Sequence, residues 1–233
     1  MNAVAIILGI IIVILIYVLY KYFTNTATPI QSSIVNLKSP PADITKISSP
    51  TSNQYAYGIW VYVASWDNTI ATKYIFRHEN AMDVYLTQQN PELKVRVYMD
   101  KPIGGNYYLD VSITNSFPLQ KWVYIIASMD NQFLDVYLDG KLVKSTKLTD
   151  NTNSALPKMP ADGAKVIIGN ASARWDAYIT YFNRWTTTMD PGTAWQYYMK
   201  GNGQNSLMGS LKNYGVQMQV TQNNVVAGSY TLL

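Results

Sequence analysis

"FLDVYLDGKLVKS", residues 133–145, decides the fold because apolar residues flank an Asp139-Gly140 dipeptide on both sides. Asp-Gly is a strong signal for a two-residue type I′ hairpin turn, since both central residues need a positive φ. Pairing the two runs outward from that turn gives Leu138–Lys141, Tyr137–Leu142, Val136–Val143 and Asp135–Lys144. The alternative is that Asp135 and Asp139 are the paired carboxylates of a glycosidase. The turn accounts for both aspartates without catalysis, so the stretch predicts two antiparallel strands.

The same alternation continues on both sides of the hairpin. "ELKVRVYMD" (92–100) and "YYLDVSIT" (107–114) place apolar residues on one face, as half-buried antiparallel strands do. The chain has 19 tyrosines and few glutamates, and tyrosine favours strands. These patterns predict an all-β fold, a two-sheet antiparallel jelly-roll sandwich of about eleven strands over residues 54–201. One short helix is expected after the Asp190 cap, ending before Gly201.

The N-terminus is apolar, with no charged side chain from Met1 to Tyr20. A helix of about 18 residues rises roughly 27 Å, close to the thickness of a bilayer core. Residues 1–23 are therefore predicted to form a single transmembrane helix, and no cleavage site of a signal peptide follows. The anchoring residues would be Ala3, Ile6, Ile7, Ile10, Ile11, Ile14, Tyr17 and Tyr20. Lys21, Lys38 and Lys46 follow the span, and by the positive-inside rule they predict that the rest of the chain lies in the cytosol.

Residues 24–53 connect this span to the sandwich and are rich in Ser, Thr and Pro. Their prolines prevent a continuous helix, so a stalk is predicted, reaching roughly 90 Å if it were fully extended. The alternative is that the segment lies along the sandwich. The apolar residues that would then dock are Ile34, Val35, Leu37, Ile44 and Ile47.

Residues 202–233 extend past the sandwich with an alternating run that turns at Asn223-Asn224. This pattern predicts a terminal strand or hairpin extension. It would either close a sheet or offer an edge to a partner.

Several function classes lack the residues they need. The chain has no cysteine and a single histidine, His78, so no zinc site of His and Cys is possible. A net charge of +4 is too small and too dispersed to predict a nucleic-acid partner. Glycosidases need two carboxylates close together, whereas Glu79 and Glu92 are far apart in the sequence. The sequence thus predicts a non-enzymatic protein with no cofactor and no metal ion.

Two loop stretches could form a ligand or partner site at the rim of the sandwich. Trp66 and Asp67 form one stretch, and Arg174, Trp175 and Asp176 form the other. Aromatic rings beside polar groups are typical of glycan binding. The alternative for Trp175 is that its ring packs under the loop, since large aromatic side chains dominate core burial.

The longer stretch "QKWVYIIASMDNQFLDVYLDGKLVKS" (120–145) resembles the central signature of the laminin-G-like branch of the concanavalin A-like lectin/glucanase superfamily. That signature is a tryptophan-led strand, a polar turn and a strand ending in Tyr-x-Asp-Gly-Lys. "YGIWVYV" (57–63) resembles the early strand of the family. Residues 165–201, with Asp176 and the Asn183-Arg184 pair, resemble its closing strands and helix. The resemblance covers about residues 55–200 and implies the jelly-roll sandwich.

The residues of this signature, together with the N-terminal span, resemble the sequences of membrane-anchored family members encoded by large DNA viruses. That resemblance implies a minor capsid protein that tethers the capsid shell to an internal membrane. Its partners would be the lipid bilayer and other capsid proteins, with the sandwich on the capsid-facing, cytosolic side. The alternative is a membrane-anchored adhesin that binds glycans.

Overall fold

The computed structural model describes residues 3–24, 27–47, 49–149, 154–202, 217–222 and 225–231. The elements along the chain are α1 (Ala3–Thr24), β1 (Ala27–Gln31), β2 (Val35–Asn36), β3 (Gln54–Val63), β4 (Lys73–His78), β5 (Met82–Leu86), β6 (Leu93–Ile103), β7 (Asn106–Thr114), β8 (Trp122–Asp130), β9 (Phe133–Leu138), β10 (Lys141–Lys147), β11 (Val166–Ile168), β12 (Ala177–Trp185), α2 (Pro191–Met199), β13 (Gln217–Gln222) and β14 (Val225–Thr231). A seven-stranded sheet has the order β1-β12-β3-β8-β9-β10, with β2 also paired to β12. A five-stranded sheet has the order β11-β4-β5-β6-β7.

The two sheets pack face to face around one core. Alternate residues of each strand point inward, for example Val95 and Val97 on β6 and Val136 on β9, and all three are fully buried. Neighbouring strands pair antiparallel throughout both sheets. The predicted all-β, two-sheet antiparallel sandwich with one short helix is therefore confirmed.

The hairpin that the Asp-Gly dipeptide predicts connects β9 and β10. Asp139 and Gly140 have φ values of 48° and 76°, which the type I′ turn requires. Asp139 also accepts a hydrogen bond from the backbone N–H of Tyr124 at 2.9 Å. Its carboxylate is therefore occupied in fixing the turn against β8.

The register predicted for this hairpin is correct for the first two residue pairs after the turn and wrong beyond them. Lys141 faces Leu138 and Leu142 faces Tyr137, but Lys144 faces Val136 and Ser145 faces Asp135. A β-bulge at Val143 inserts one residue, so neither the Val–Val pair nor the Asp–Lys pair forms. The shift is accommodated because β10 is the edge strand of its sheet.

The segment predicted as a stalk lies along the sandwich. β1 and β2 both pair with β12, and Ile44 forms a β-bridge with Val166. Leu37 is fully buried in the core, and Val35, Ile44 and Ile47 pack against that core. The prolines exclude a helix here but not an extended strand, so the docked alternative is the correct one except at the exposed Ile34.

The N-terminal helix α1 covers Ala3–Thr24, as the apolar run predicts. Among the residues with described side chains, the large apolar side chains of Leu8, Ile10–Tyr17 and Leu19 are exposed. Within the part of the chain that the structure describes, no helix is long and apolar enough to cross a membrane. The predicted transmembrane span is thus not confirmed.

Helix α2 lies on the outer face of the seven-stranded sheet. The Asp190 carboxylate accepts a hydrogen bond from the backbone N–H of Thr193 at 3.0 Å and caps the helix, and Pro191 occupies the first turn. A second apolar cluster seals α2 against the sheet through Trp60, Tyr124, Ile126, Tyr137, Trp185, Met189 and Ala194. β3 and β8 are consequently apolar on both faces.

The extension after the sandwich contains β13 and β14, which pair antiparallel in a separate two-stranded sheet. The turn predicted at Asn223-Asn224 lies outside the described residues.

Candidate functional site

The structure brings together the two loops that the sequence places at the rim. Ser65 donates a hydrogen bond to the Asp176 carboxylate at 2.8 Å, and Lys38 forms an ion pair with the same carboxylate at 3.1 Å. The hydrogen bond from Ser65, aided by Lys38, lowers the pKa of Asp176. The β3–β4 loop and the loop before β12 therefore form one connected rim.

Trp66 and Asp67 are occupied by contacts within this rim. The Lys73 ammonium lies 4.2 Å from the centre of the Trp66 ring, within cation–π distance. Asp67 accepts hydrogen bonds from the side-chain O–H and backbone N–H of Thr69, at 2.6 and 2.8 Å, and these bonds lower its pKa. Both predicted residues thus stabilise their own loop.

Trp175 offers no ring face to a ligand. It is 2% exposed, lies in the core and donates its indole N–H to the carbonyl of Tyr74 at 2.9 Å. Arg174 is exposed and donates to the carbonyl of Ala171 at 3.1 Å. The alternative, in which Trp175 packs under the loop, describes this side chain correctly. Of the five predicted rim residues, only Asp67 and Arg174 are exposed.

A groove that the sequence does not reveal lies on the outer face of the seven-stranded sheet, between β1, β12 and α2. Its volume is ≈ 320 Å³, and its lining combines aromatic rings with polar groups. Its lining includes Ser32, Trp60, Tyr124, Tyr181, Asn183, Tyr197 and Lys200. A concave, largely aromatic site with a few polar groups is the usual form of a small-ligand site.

The floor of this groove is a stack of aromatic rings. The Trp60 ring stacks on Tyr124 at a centroid distance of 5.0 Å and on Tyr198 at 5.7 Å. The ammonium of Lys200 lies 3.9 Å from the centre of the Tyr197 ring. Trp60 is almost completely buried, so it shapes the floor while Tyr197 forms part of the wall.

Tyr181 stands at the rim of the groove in an unusual backbone conformation. Its φ is 47°, in the left-handed region, at a bulge in the pairing of β12 with β3. The side chain is 41% exposed, while Thr180 and Phe182 on either side of it are buried. Asn183 donates its side-chain N–H to the carbonyl of Tyr181 at 3.0 Å. Strict alternation would give Tyr181 the same face as the buried Ile179, so the bulge is what exposes its ring.

The groups that could support hydrolysis are dispersed. Glu79 and Glu92 lie beyond opposite ends of β5, and Glu92 accepts a hydrogen bond from Ser112 at 2.7 Å. His78 is buried, with its Nδ1 3.1 Å from the hydroxyl of Tyr57, and burial lowers its pKa to about 4, assisted by the charge of Arg184. Among the described residues, no three His, Cys, Asp or Glu side chains are grouped as metal ligands.

Comparisons with known proteins agree with this architecture. A family model described as the concanavalin A-like lectin/glucanases superfamily matches residues 38–193. The binding domain of botulinum neurotoxin DC in complex with SialylT has a TM-score of 0.52 at 10% identity, covering 75% of this chain and 46% of that chain. The binding domain of Paraclostridial Mosquitocidal Protein 1 has a TM-score of 0.52 at 11% identity, covering 75% of this chain and 45% of that chain.

This chain therefore spans less than half of the length of either structure, and at these identities the similarity concerns the fold alone. No curated protein matches the sequence.

Proposed function

Because the chain belongs to the concanavalin A-like lectin/glucanases superfamily, we propose that its sandwich binds carbohydrate in the groove between β1, β12 and α2. Sugar rings have apolar C–H faces and a rim of hydroxyl groups. The aromatic side chains of the groove suit the faces, and the polar groups of Ser32 and Asn183 suit the hydroxyls. The predicted rim is less suitable because it has no aromatic ring as exposed as Tyr181: Trp175 is buried in the core, and Trp66 is only partly exposed.

The observation that carries the proposal is the conformation of Tyr181. A left-handed conformation costs a residue with a Cβ roughly 1–2 kcal/mol, whereas glycine adopts it freely. Bulky residues in such conformations cluster at ligand sites, where the surrounding structure holds them. Here the bulge directs an aromatic ring to the surface beside the groove.

The nature of the sugar is suggested by one side chain and one similar structure. Lys200 lines the groove, and the described lining contains no carboxylate. The binding domain of botulinum neurotoxin DC was solved with SialylT. Sialylated glycans are therefore the first probes that we would apply to this chain, next to neutral ones.

We also propose that the protein binds without catalysis. Retaining glycosidases hold two carboxyl groups about 5–5.5 Å apart, and inverting enzymes hold them roughly 6.5–9.5 Å apart. The two glutamates lie beyond opposite ends of a five-residue strand, and Lys200 is the charged residue in the groove lining. The groove therefore offers surfaces for binding but no acid–base pair.

A membrane location remains part of the proposal. Helix α1 exposes the apolar side chains of Leu8, Ile10–Tyr17 and Leu19, which supports attachment to a lipid bilayer. The lysines that follow this helix favour the cytosolic side for the sandwich. A capsid tether is the second candidate function, and it is supported by this helix and by the resemblance to viral members. If the protein came from a virus of that kind, its absence from purified particles would exclude the capsid role.

A glycan array probed with the full-length protein in detergent micelles tests the main proposal. Tyr181→Gly removes the ring and relaxes the backbone, so we expect binding to weaken about tenfold or more without loss of thermal stability. Tyr181→Phe keeps the ring and should retain most of the affinity. The matched control is Tyr107→Gly, which removes a 59% exposed tyrosine from the other sheet.

The two ways in which the proposal can fail are distinguishable. Wild-type protein that binds neutral and sialylated glycans no better than heat-denatured protein would contradict the function. Glycan binding that Tyr181→Gly leaves unchanged would keep the function and move the site elsewhere.

A further inference from the structure

The edge strand β10 is the open end of the seven-stranded sheet. β10 pairs with β9 on one side, and within the described residues no strand pairs with its other side. Six of the seven residues of Lys141–Lys147 are exposed. Such an edge presents a row of backbone N–H and C=O groups to which another extended chain can pair.

The side chains of β10 carry positive charge and apolar surface together. Its charged residues are the lysines Lys141, Lys144 and Lys147, and none of the three is in an ion pair among the described residues. The nearby Asp139 carboxylate is bound to Lys121 at 3.4 Å and to a backbone N–H of β8.

Exposed apolar side chains lie between these lysines. Leu142 and Val143 are 46% and 44% exposed. Leu142 lies close to the Asp139-Gly140 turn, and Gly140 of that turn packs against the exposed Trp195 of α2. Within the described part of the chain, this edge thus combines backbone groups that pair with no strand, lysines outside ion pairs and exposed apolar side chains, which are the contacts that β-strand addition uses.

We propose that β10 is a docking edge for an extended, acidic segment of a partner protein, which adds to the sheet as a further strand. The backbone pairing would supply most of the affinity, and the three lysines would select acidic side chains. The glycan groove extends from β1 over the central strands of this sheet, and no residue of β10 lines it, so the docking edge does not depend on the proposed carbohydrate function.

Lysines on an edge strand also have a protective interpretation, in which they prevent edge-to-edge aggregation. That interpretation predicts that β10 repels strands in general. Ours predicts that it repels basic strands and accepts acidic ones. A third possibility is that the lysines contact an anionic bilayer rather than a peptide.

Fluorescence anisotropy with the full-length protein in detergent micelles can distinguish these possibilities. The probe is a labelled peptide of alternating glutamate and valine, compared with a lysine–valine peptide and with the acidic peptide N-methylated at alternate residues. N-methylation preserves the charge and removes the backbone donors that strand pairing needs. We expect the acidic peptide to bind about tenfold or more tightly than either control peptide.

Two charge-matched variants locate the site. The triple variant K141E/K144E/K147E should lose the acidic peptide, whereas K46E/K101E/K158E, which changes three exposed lysines outside β10, should bind it nearly as well as wild type. Equal binding of the N-methylated peptide, equal loss in both variants, or no peptide binding would each overturn the proposal. It would equally be overturned if phosphatidylserine vesicles bound through β10 while the acidic peptide did not.

Discussion

The ammonium of Lys73 is buried where the loops of the rim meet. It donates hydrogen bonds to the carbonyls of Ile70 and Gln88 at 3.1 and 3.3 Å, and it lies against the Trp66 ring. Burial lowers the pKa of Lys73, while the charge of Asp67 opposes that shift. One side chain thus connects the β3–β4 loop to the β5–β6 loop, as a bound cation could.

Replacing this lysine should loosen the rim. Lys73→Met keeps the side-chain length but leaves buried carbonyls without their donor, so we expect a loss of about 2–4 kcal/mol in the free energy of unfolding. Chemical denaturation followed by tryptophan fluorescence measures this loss. The control is Lys94→Met, which breaks a partly exposed ion pair with Glu92 at 3.4 Å and should cost less than about 1 kcal/mol. Equal losses in both variants would show that the buried hydrogen bonds have no special role.

At the scale of whole elements, α1 carries the prediction about location. If α1 inserts into a bilayer with the sandwich in the cytosol, protease added to sealed microsomes should digest the sandwich of the full-length protein. Protection of the sandwich without detergent, and digestion with detergent, would place it in the lumen. Recovery of the protein in the soluble fraction would contradict membrane attachment altogether.

The elements differ in how far the sequence predicts them, for reasons that the structure makes plain. The β9–β10 hairpin follows from Asp139-Gly140 because a two-residue turn has few solutions. The bulge at Val143 does not follow, since an edge strand tolerates a slipped pair that a central strand would not. The sequence of the docked segment 27–47 predicts a linker because its prolines exclude a helix and its strands are too short to give a pattern. These strands are stabilised by pairing with β12 and by contact with the core.

The candidate site is harder to predict than the fold. The sequence predicts Trp66 and Trp175 as ligand residues because each tryptophan stands next to an aspartate. In the structure both side chains make contacts within the protein instead. The groove instead requires β1, β12 and α2 to meet, and these elements are distant in the sequence. Tyr181, the residue on which the proposed site depends most, is exposed because of a bulge in β12. The local sequence pattern does not predict this bulge.

At the scale of the whole molecule, a polar cluster connects the two sheets. His78 on β4 contacts the hydroxyl of Tyr57 on β3, and Arg184 on β12 lies with its guanidinium 5.9 Å from the ring centre of Tyr57. Tyr55 also faces this cluster. Burial raises the pKa of Tyr57 to about 12, so its hydroxyl stays protonated in this environment.

This cluster predicts acid sensitivity of the fold. The pKa of His78 is about 4 in the folded state and 6.5 when unperturbed, so the unfolded chain binds more protons between these values. The contribution of His78 to the free energy of unfolding should be fully present above pH 6.5. It should fall by up to roughly 3 kcal/mol as the pH drops toward 4. Thermal unfolding of the full-length protein across this range measures the loss.

Other groups titrate nearby, so a variant is needed to isolate the histidine. The depressed pKa values of Asp67, Asp176 and Asp190 also favour unfolding at low pH, whereas the raised pKa of buried Asp83 acts in the opposite direction. His78→Gln should flatten the pH dependence between 4 and 6.5 specifically. An unchanged slope in that variant would show that His78 is not the source of the acid sensitivity in this range, because the lowered aspartate pKa values act mainly below pH 3.8.

The docking of residues 27–47 on the sandwich also limits the distance between α1 and the sandwich. With only residues 25 and 26 between α1 and β1, the sandwich begins within roughly 11 Å of the helix end, instead of the roughly 90 Å that a free stalk would allow. A short connection confines the binding surfaces to a small search volume. Ligands on the same surface as α1 would meet them at a high effective concentration, and ligands at a distance would rarely do so.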